Sequence, residues 1–315
     1  MMNAVLGFNM KNQCLQACCI LLLLCDISPL VSSLSLSANK IRALSLDVTG
    51  TLLVTKEPVI KSYHNAAVWA RLPDCPSQDE LKNGFKVAFR ERCIESPCFG
   101  GVEGISGREW WRATVARVLH HARPGGVSCT EQEFDRYFRR VYQHFGSPAG
   151  YAVLEDAQDM LTTLRKKSET ATSSFASEDG ILLGITSNTP TRHMESVLPM
   201  LDCLHEQFSW FVCSQDVGHE KPSPEIFDAS YRRARFWMPD LRKEEVLHIG
   251  DSYACDYCGA RQYGFQALLL DRSENPAVTA YQDWMEAPEY EGKSLEDVQE
   301  NTITSLKDVV ALLSD

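Results

Sequence analysis

Four short stretches of this sequence carry side chains that could handle a phosphoryl group together. Asp47-Val48-Thr49-Gly50-Thr51 and Gly250-Asp251 with Asp256 supply carboxylates. Such hard oxygen ligands suit Mg²⁺, an ion that keeps several waters and favours substrate phosphate. A carboxylate such as Asp47 can also attack phosphorus and split one hard displacement into two easier ones. Thr186-Ser187-Asn188 offers a hydroxyl and an amide for phosphate oxygens, and Lys221-Pro222 a cation to offset charge as it develops. Asp256, five residues beyond Asp251, suits a place one layer back, orienting ligands or bound water. Taken singly, each stretch has an ordinary explanation as a turn, a helix cap or solvated surface. Their force comes from occurring together and in order.

Groups so far apart in sequence meet only if the fold brings strand ends to one edge. Ile41 to Leu46 is a short apolar run that stops at Asp47. Ile181 to Ile185, Trp210 to Cys213, Val246 to Ile249 and Ala267 to Leu270 read as further buried strands. Helical stretches, Asp156 to Leu164 and Glu225 to Ala234, lie between them. Alternating strands and helices predict an α/β, Rossmann-like parallel sheet covered on both faces, with ligands outside the strand ends.

One block interrupts the alternation. From about Lys56 to Gly150 the sequence shows helices and no convincing strand. Ser77 with Glu80, Ser106 with Glu109, and Thr130 with Glu133 form capping boxes that predict three helix starts. Phe134, Tyr137, Phe138, Val141, Tyr142 and Phe145 then fall on one helical face, as a core-facing stripe does. The predicted organisation is a core of 39–55 and 151–315 with an all-helical insertion over 56–150. Within the insertion, Gly107 to Trp111 is a candidate specificity segment, weighed against plain core packing of its tryptophans. Ser168 to Asp179 reads as a surface loop, and Thr302 to Leu313 as a short strand or turn followed by a closing helix.

The chain's 315 residues carry a formal charge of −11. That balance argues against a nucleic-acid partner, which calls for a basic face. It still permits a small anionic substrate, since local groups set a site. Residues 1–38 stand apart as a leader or disordered extension. Lys11, the apolar run Ala17 to Cys25 and the small residues near Val31-Ser32-Ser33 resemble a secretory or other targeting signal. Nine apolar residues are too few for a stable membrane span, which needs about 20. Of twelve cysteines, Cys14, Cys18, Cys19 and Cys25 fall in that leader; among the other eight only Cys255 and Cys258 form a close pair, and no second pair completes a zinc site.

The ordered set Asp47, Ser187, Lys221 and Asp251 with Asp256 resembles the four motifs of the haloacid dehalogenase (HAD) superfamily, over roughly Ile41 to the C-terminus. The stretches DVTGTL, ITSN, EKPSPEIF and HIGDSYACDYCGAR carry a closer resemblance to one group within it. The resemblance implies a hydrolase with Asp47 and Lys221 as catalytic groups. Thr51, Ser187, Asn188 and Lys221 would bind a small phosphorylated metabolite. Mg²⁺ would be held by Asp47, the backbone carbonyl of Thr49, Asp251 and Asp256. The helical insertion matches the cap that many members carry.

One departure matters. The superfamily's phosphatases carry an acid/base Asp two residues after the nucleophile, where this chain has Thr49. A threonine hydroxyl does no carboxylate acid–base work near neutral pH. The expected function is a Mg²⁺-dependent phosphohydrolase of low activity; the alternative is a phosphate- or metabolite-binding protein with little or no catalysis. Carbon–halogen hydrolysis is disfavoured, because members that perform it use no metal while the acidic motif here is intact.

Overall fold

In the computed structural model, residues 40–170, 180–201, 205–274, 298 and 300–313 are described. The expected leader lies outside them. Six strands build one parallel sheet in the order β5-β4-β1-β6-β7-β8. They are β1 (Ala43–Leu46), β4 (Leu182–Ser187), β5 (Trp210–Cys213), β6 (Val246–Gly250), β7 (Gln266–Leu270) and β8 (Thr302–Ile303). The first strand is therefore central, with β4 on one side and β6 on the other. The chain's strand order reverses at β1, the switch point where open α/β sheets form a crevice.

Every residue of β1 is buried, because both faces are covered. Leu44 and Leu46 enter one apolar core with Ile185, Leu247 and Ile249. Ala43 faces a second core with Trp210, Val246 and Ala267. The first core packs under helices α5 (Glu155–Thr170) and α8 (Lys307–Leu312), the second under α6 (Pro224–Trp237) and α7 (Gly259–Tyr263). Gly184 of β4 makes room for the Trp210 indole, since a Cβ there would lie 1.8 Å from Cε2.

Helices α1 (Val59–Ala70), α2 (Gln78–Glu95), α3 (Gly107–His121) and α4 (Glu131–His144) fill the stretch between β1 and the rest of the sheet. All three expected capping boxes form with both reciprocal bonds. The α4 stripe buries Phe134, Tyr137, Phe138 and Val141 in a separate apolar core, while Tyr142 and Phe145 pack at its margin. A short antiparallel ribbon, β2 (Leu53–Thr55) with β3 (Tyr151–Val153), joins this helical block to the sheet. None of the described helices is long and apolar enough to cross a membrane.

The closing strand and helix form as expected, but the loop expected from Ser168 does not start there: α5 runs on to Thr170. The remainder, 171–179, lies outside the described residues. Sequence composition favoured a loop, yet Ser, Glu and Thr are only mildly unfavourable in a helix already nucleated by an apolar stripe.

A buried ion pair ties both ends of the α/β frame together. Both carboxylate oxygens of Asp156, at the start of α5, accept from Arg272, at 3.0 and 2.9 Å. Asp156 also accepts from the Leu306 amide, and Arg272 donates to the Thr51 carbonyl at 2.9 Å. Asp156→Ala would leave a buried guanidinium without its partner, a loss of about 3–5 kcal/mol. A urea midpoint unchanged by the substitution would refute this assignment.

Candidate active site

The loop after β1 turns within a few residues. The Asp47 amide donates to Ile249 of β6, and the Leu52 and Leu53 amides both return to the Val48 carbonyl. Gly50 sits in this turn at φ +88°, a left-handed conformation that glycine adopts without strain. A Cβ there would stand 2.2 Å from Asp251 Oδ2, so the glycine also lets the β1 and β6 loops close on one another.

Lys221 is the centre of the site. Its ammonium is buried and donates to Asp47 Oδ1 at 2.6 Å, Asp256 Oδ1 at 2.5 Å and the Thr186 carbonyl at 2.9 Å. Three N–H donors thus meet three acceptors. Asn188 holds the backbone behind it: its Oδ1 accepts from the Lys221 amide at 2.7 Å and its Nδ2 donates to the Lys221 carbonyl at 3.0 Å. Asn188, expected as a substrate ligand, has its carboxamide engaged with the Lys221 backbone, which leaves one N–H over. Ser187 is buried at the end of β4, and its side chain adds a small downward pull on the Asp47 carboxyl.

Asp47, Asp251 and Asp256 bring carboxylate oxygens within 4.8 Å of one another, the one such metal-capable cluster among the described residues. Burial, the largest effect, pushes the Asp47 carboxyl up against the pull of Lys221. Burial pushes Asp251 well up, and Asp47 and Asp256 add to the rise. For Asp256, burial acts upward but Lys221 and His248 outweigh it and hold the carboxyl well down. On Lys221 burial acts downward, yet Asp256 and Asp47 keep it firmly protonated. Three carboxylates against one ammonium leave a surplus of negative charge that a divalent cation would neutralise.

The remaining expected residues are placed as follows. Thr51 is fully buried, and its Oγ1 has no hydrogen-bond partner among the described residues, a polar atom suited to a ligand oxygen. Thr49 is half-buried and bridges Leu53 through its backbone. Asp256 has both oxygens engaged, Oδ1 by Lys221 and His248 and Oδ2 by the Ser252 amide. Cys255 and Cys258 are half-exposed on the turn preceding α7, neither in a disulfide.

Some features escaped the sequence reading. The Cys98 amide donates to Glu220, next to Lys221, and Gln215 donates to the Phe99 carbonyl while accepting from the Thr191 amide. The helical block is therefore fastened to the loops that carry Ser187 and Lys221. The two contacts to the block span 122 and 116 residues and leave no local pattern. In the candidate specificity segment, Trp110 is buried and donates to the Ser96 carbonyl at 2.7 Å, so core packing explains it. Trp111 stays half-buried beside Phe99 and Trp110. His248, buried behind Asp256, was also missed; its signal was a polar residue inside an apolar strand.

Comparison with known proteins agrees with this geometry. Mouse (Mus musculus) haloacid dehalogenase-like hydrolase domain-containing protein 3 is 31% identical over 245 residues, 78% of this chain and 87% of the relative. The human (Homo sapiens) protein of that name is 31% identical over 231 residues, 73% and 82% of the two chains. The closer resemblance noted in the four sequence stretches is to this group. Among solved structures, 2-haloacid dehalogenase from Pseudomonas syringae superposes with a TM-score of 0.53 at 20% identity, covering 87% of this chain and 98% of that one. The HAD hydrolase YfnB from Bacillus subtilis, bound to magnesium, superposes at 0.52 with 18% identity, over 88% of this chain and all of its own. At these identities the superpositions speak for the fold. The family profile of haloacid dehalogenase-like hydrolases matches residues 41–264, from β1 through α7 and every strand-end group described above. The chain belongs to the haloacid dehalogenase-like hydrolase family.

Proposed function

We propose that this protein is a Mg²⁺-dependent phosphohydrolase of low turnover, acting on a small phosphorylated metabolite through an aspartyl-phosphate on Asp47. The observation that carries the reading is the Asp47 carboxylate, buried and held at 2.6 Å by Lys221 inside a three-carboxylate cluster.

Lys221 takes Oδ1 of Asp47, which leaves Oδ2 to attack phosphorus. The new Asp–O–P bond forms as the ester P–O bond breaks, and the leaving oxygen departs as RO⁻ with the bonding pair and takes its proton from solvent. Ser187 and Thr51 hold the equatorial oxygens, and Lys221 stabilises the charge that builds on them. Asp47, Asp251, Asp256 and the Thr49 carbonyl are the groups that would hold Mg²⁺, which when bound supplies charge neutralisation to the phosphoryl oxygens. Water then attacks phosphorus, the Asp–O–P bond breaks, and Asp47 is restored with release of inorganic phosphate. The helical block over 56–150, tied to the site through Glu220 and Gln215, serves as the cap that admits the substrate.

The weak point is the proton for the departing alcohol. No carboxylate stands at position 49, so leaving groups that depart without protonation are favoured. This observation also sustains a second reading, a phosphate- or metabolite-binding protein with little or no catalysis. Thr49→Asp separates the two. In the phosphohydrolase, release of inorganic phosphate from an alkyl monophosphate with Mg²⁺, where the leaving group needs a proton, should rise about ten-fold or more in the variant, within the range for acid–base assistance. The gain should vanish in the Thr49→Asp, Asp47→Asn double variant. A folded, Mg²⁺-binding Thr49→Asp protein no faster than wild type favours the binding reading.

A further inference from the structure

A row of polar side chains runs through the sheet directly beneath Asp47. Ser45, Thr186 and His248 lie in β1, β4 and β6 and are fully buried. Ser45 Oγ is 2.8 Å from Thr186 Oγ1 and 2.9 Å from His248 Nδ1. Thr186 continues to Ser230 of α6 at 2.7 Å, where the Trp210 indole also donates at 3.0 Å. At the other end, His248 Nε2 is 3.0 Å from Asp256 Oδ1, the oxygen that also accepts from Lys221. Apolar residues of similar size would fill this sheet face without the cost of desolvating polar groups. A fully bonded row retained in such a place serves orientation.

Of the three acceptors that aim the Lys221 ammonium, one is the Asp256 carboxylate. Its Oδ2 is held by the Ser252 amide, and among the described residues the one neutral side chain on its Oδ1 is His248. An ionised carboxylate only accepts, so Nε2 carries the hydrogen and Nδ1 of the neutral ring turns to the Ser45 hydroxyl. The ring is further fixed edge-to-face against Phe227, 5.3 Å between centroids.

We propose that His248 is a positioning residue: its Nε2–H fixes Asp256, which in turn aims Lys221 at Asp47, with Ser45 setting the imidazole. The kinetic consequence of this rests on the phosphohydrolase reading; the placement of Lys221 does not.

The test uses the full chain, with His248→Asn, His248→Gln and Ser45→Ala. Glutamine puts an amide nitrogen close to the Nε2 position, whereas asparagine reaches only the Ser45 side. Two readouts are followed. One is the Lys221 ammonium signal in ¹H–¹⁵N lysine spectra, assigned by its loss in Lys221→Arg. The other is kcat and KM for p-nitrophenyl phosphate with Mg²⁺. His248→Asn should shift or broaden the Lys221 signal and lower kcat about 10–100-fold, the usual cost of losing an outer-layer partner, with KM little changed. His248→Gln should restore both, and Ser45→Ala should produce a milder form of the same defect. A purely structural role would lower the melting temperature and leave the Lys221 signal and kcat alone. An unchanged Lys221 signal in both His248→Asn and Ser45→Ala overturns the proposal, and if His248→Asn fails to fold, Ser45→Ala decides it. Should the wild type show no hydrolysis, the phosphohydrolase reading falls, and the Lys221 signal still judges the positioning role.

Discussion

Asp251→Asn is expected to raise the melting temperature of the metal-free protein and to abolish the stabilisation that Mg²⁺ gives the wild type. Without a cation, Asp251 is pushed well up, first by burial and then by Asp47 and Asp256. A carboxyl that binds its proton more tightly folded than unfolded favours the folded state at low pH. That advantage fades as pH rises above the ordinary value of 3.8. Asparagine removes the charge and with it this penalty. In EDTA the wild type should therefore melt lower at about pH 8 than at about pH 5, and the variant should show a flatter profile. Each kcal/mol recovered is worth about 2–4 °C in a domain of this class. If the proposed site takes Mg²⁺ in the folded state alone, added ion should lift the wild type; at a hundred times its dissociation constant the gain would be about 2.7 kcal/mol. The variant should gain little, and calorimetry should show its Mg²⁺ affinity reduced at least about ten-fold, since the ion demands anionic oxygens. Equal Mg²⁺ affinity in both proteins would remove Asp251 from the metal site.

Lys221→Met should destabilise the protein by about 3–5 kcal/mol and reduce turnover to background. The substitution keeps most of the side chain's length but leaves Asp47 and Asp256 buried side by side with no cation between them, and breaking a buried pair from one side carries that cost. The sign of the pH effect follows. Loss of the ammonium raises the folded-state carboxyl values, so the variant's deficit should be largest near neutral pH and shrink on acidification, as one carboxyl takes up a proton. Denaturant titrations at two pH values read this directly. A variant as stable as wild type at neutral pH, or one that retains hydrolysis, would show that the buried ammonium is not the keystone described.

Much of the site could be read from residue order, because Asp47, Ser187 and Asp251 each follow an apolar run that the sheet was bound to bury. The chain's direction in parallel strands then put all three on one edge. Capping boxes were equally legible, since Ser77 with Glu80 and its two counterparts act over three residues. What escaped depends on partners far apart in sequence. Asn188 bonds the Lys221 backbone across 33 positions, and the Cys98 amide meets Glu220 across 122. Strands of three residues, as in β2 and β3, are too short to show any alternation. His248 stood in plain view within Val246–Gly250, but a polar residue in an apolar strand announces no partner until the neighbouring strands are in register.

The β2–β3 ribbon bears on how such a molecule can change. Thr55 pairs with Tyr151, and the Lys56 amide reaches the Gly150 carbonyl at 3.0 Å, so the helical block leaves and re-enters the frame at nearly one point. Paired strands hold such positions about 5 Å apart whatever lies between them. The block also has its own apolar core, distinct from the two that flank the sheet. Its interior can therefore be rebuilt, lengthened or exchanged without shifting the register of β1 against β4 and β6. On the proposed function, the carboxylates and the lysine answer to one set of constraints and the substrate entrance to another, joined through a two-strand isthmus, side-chain ties and the packing of Phe145. Selection can redraw what enters while the chemistry beneath stays in place.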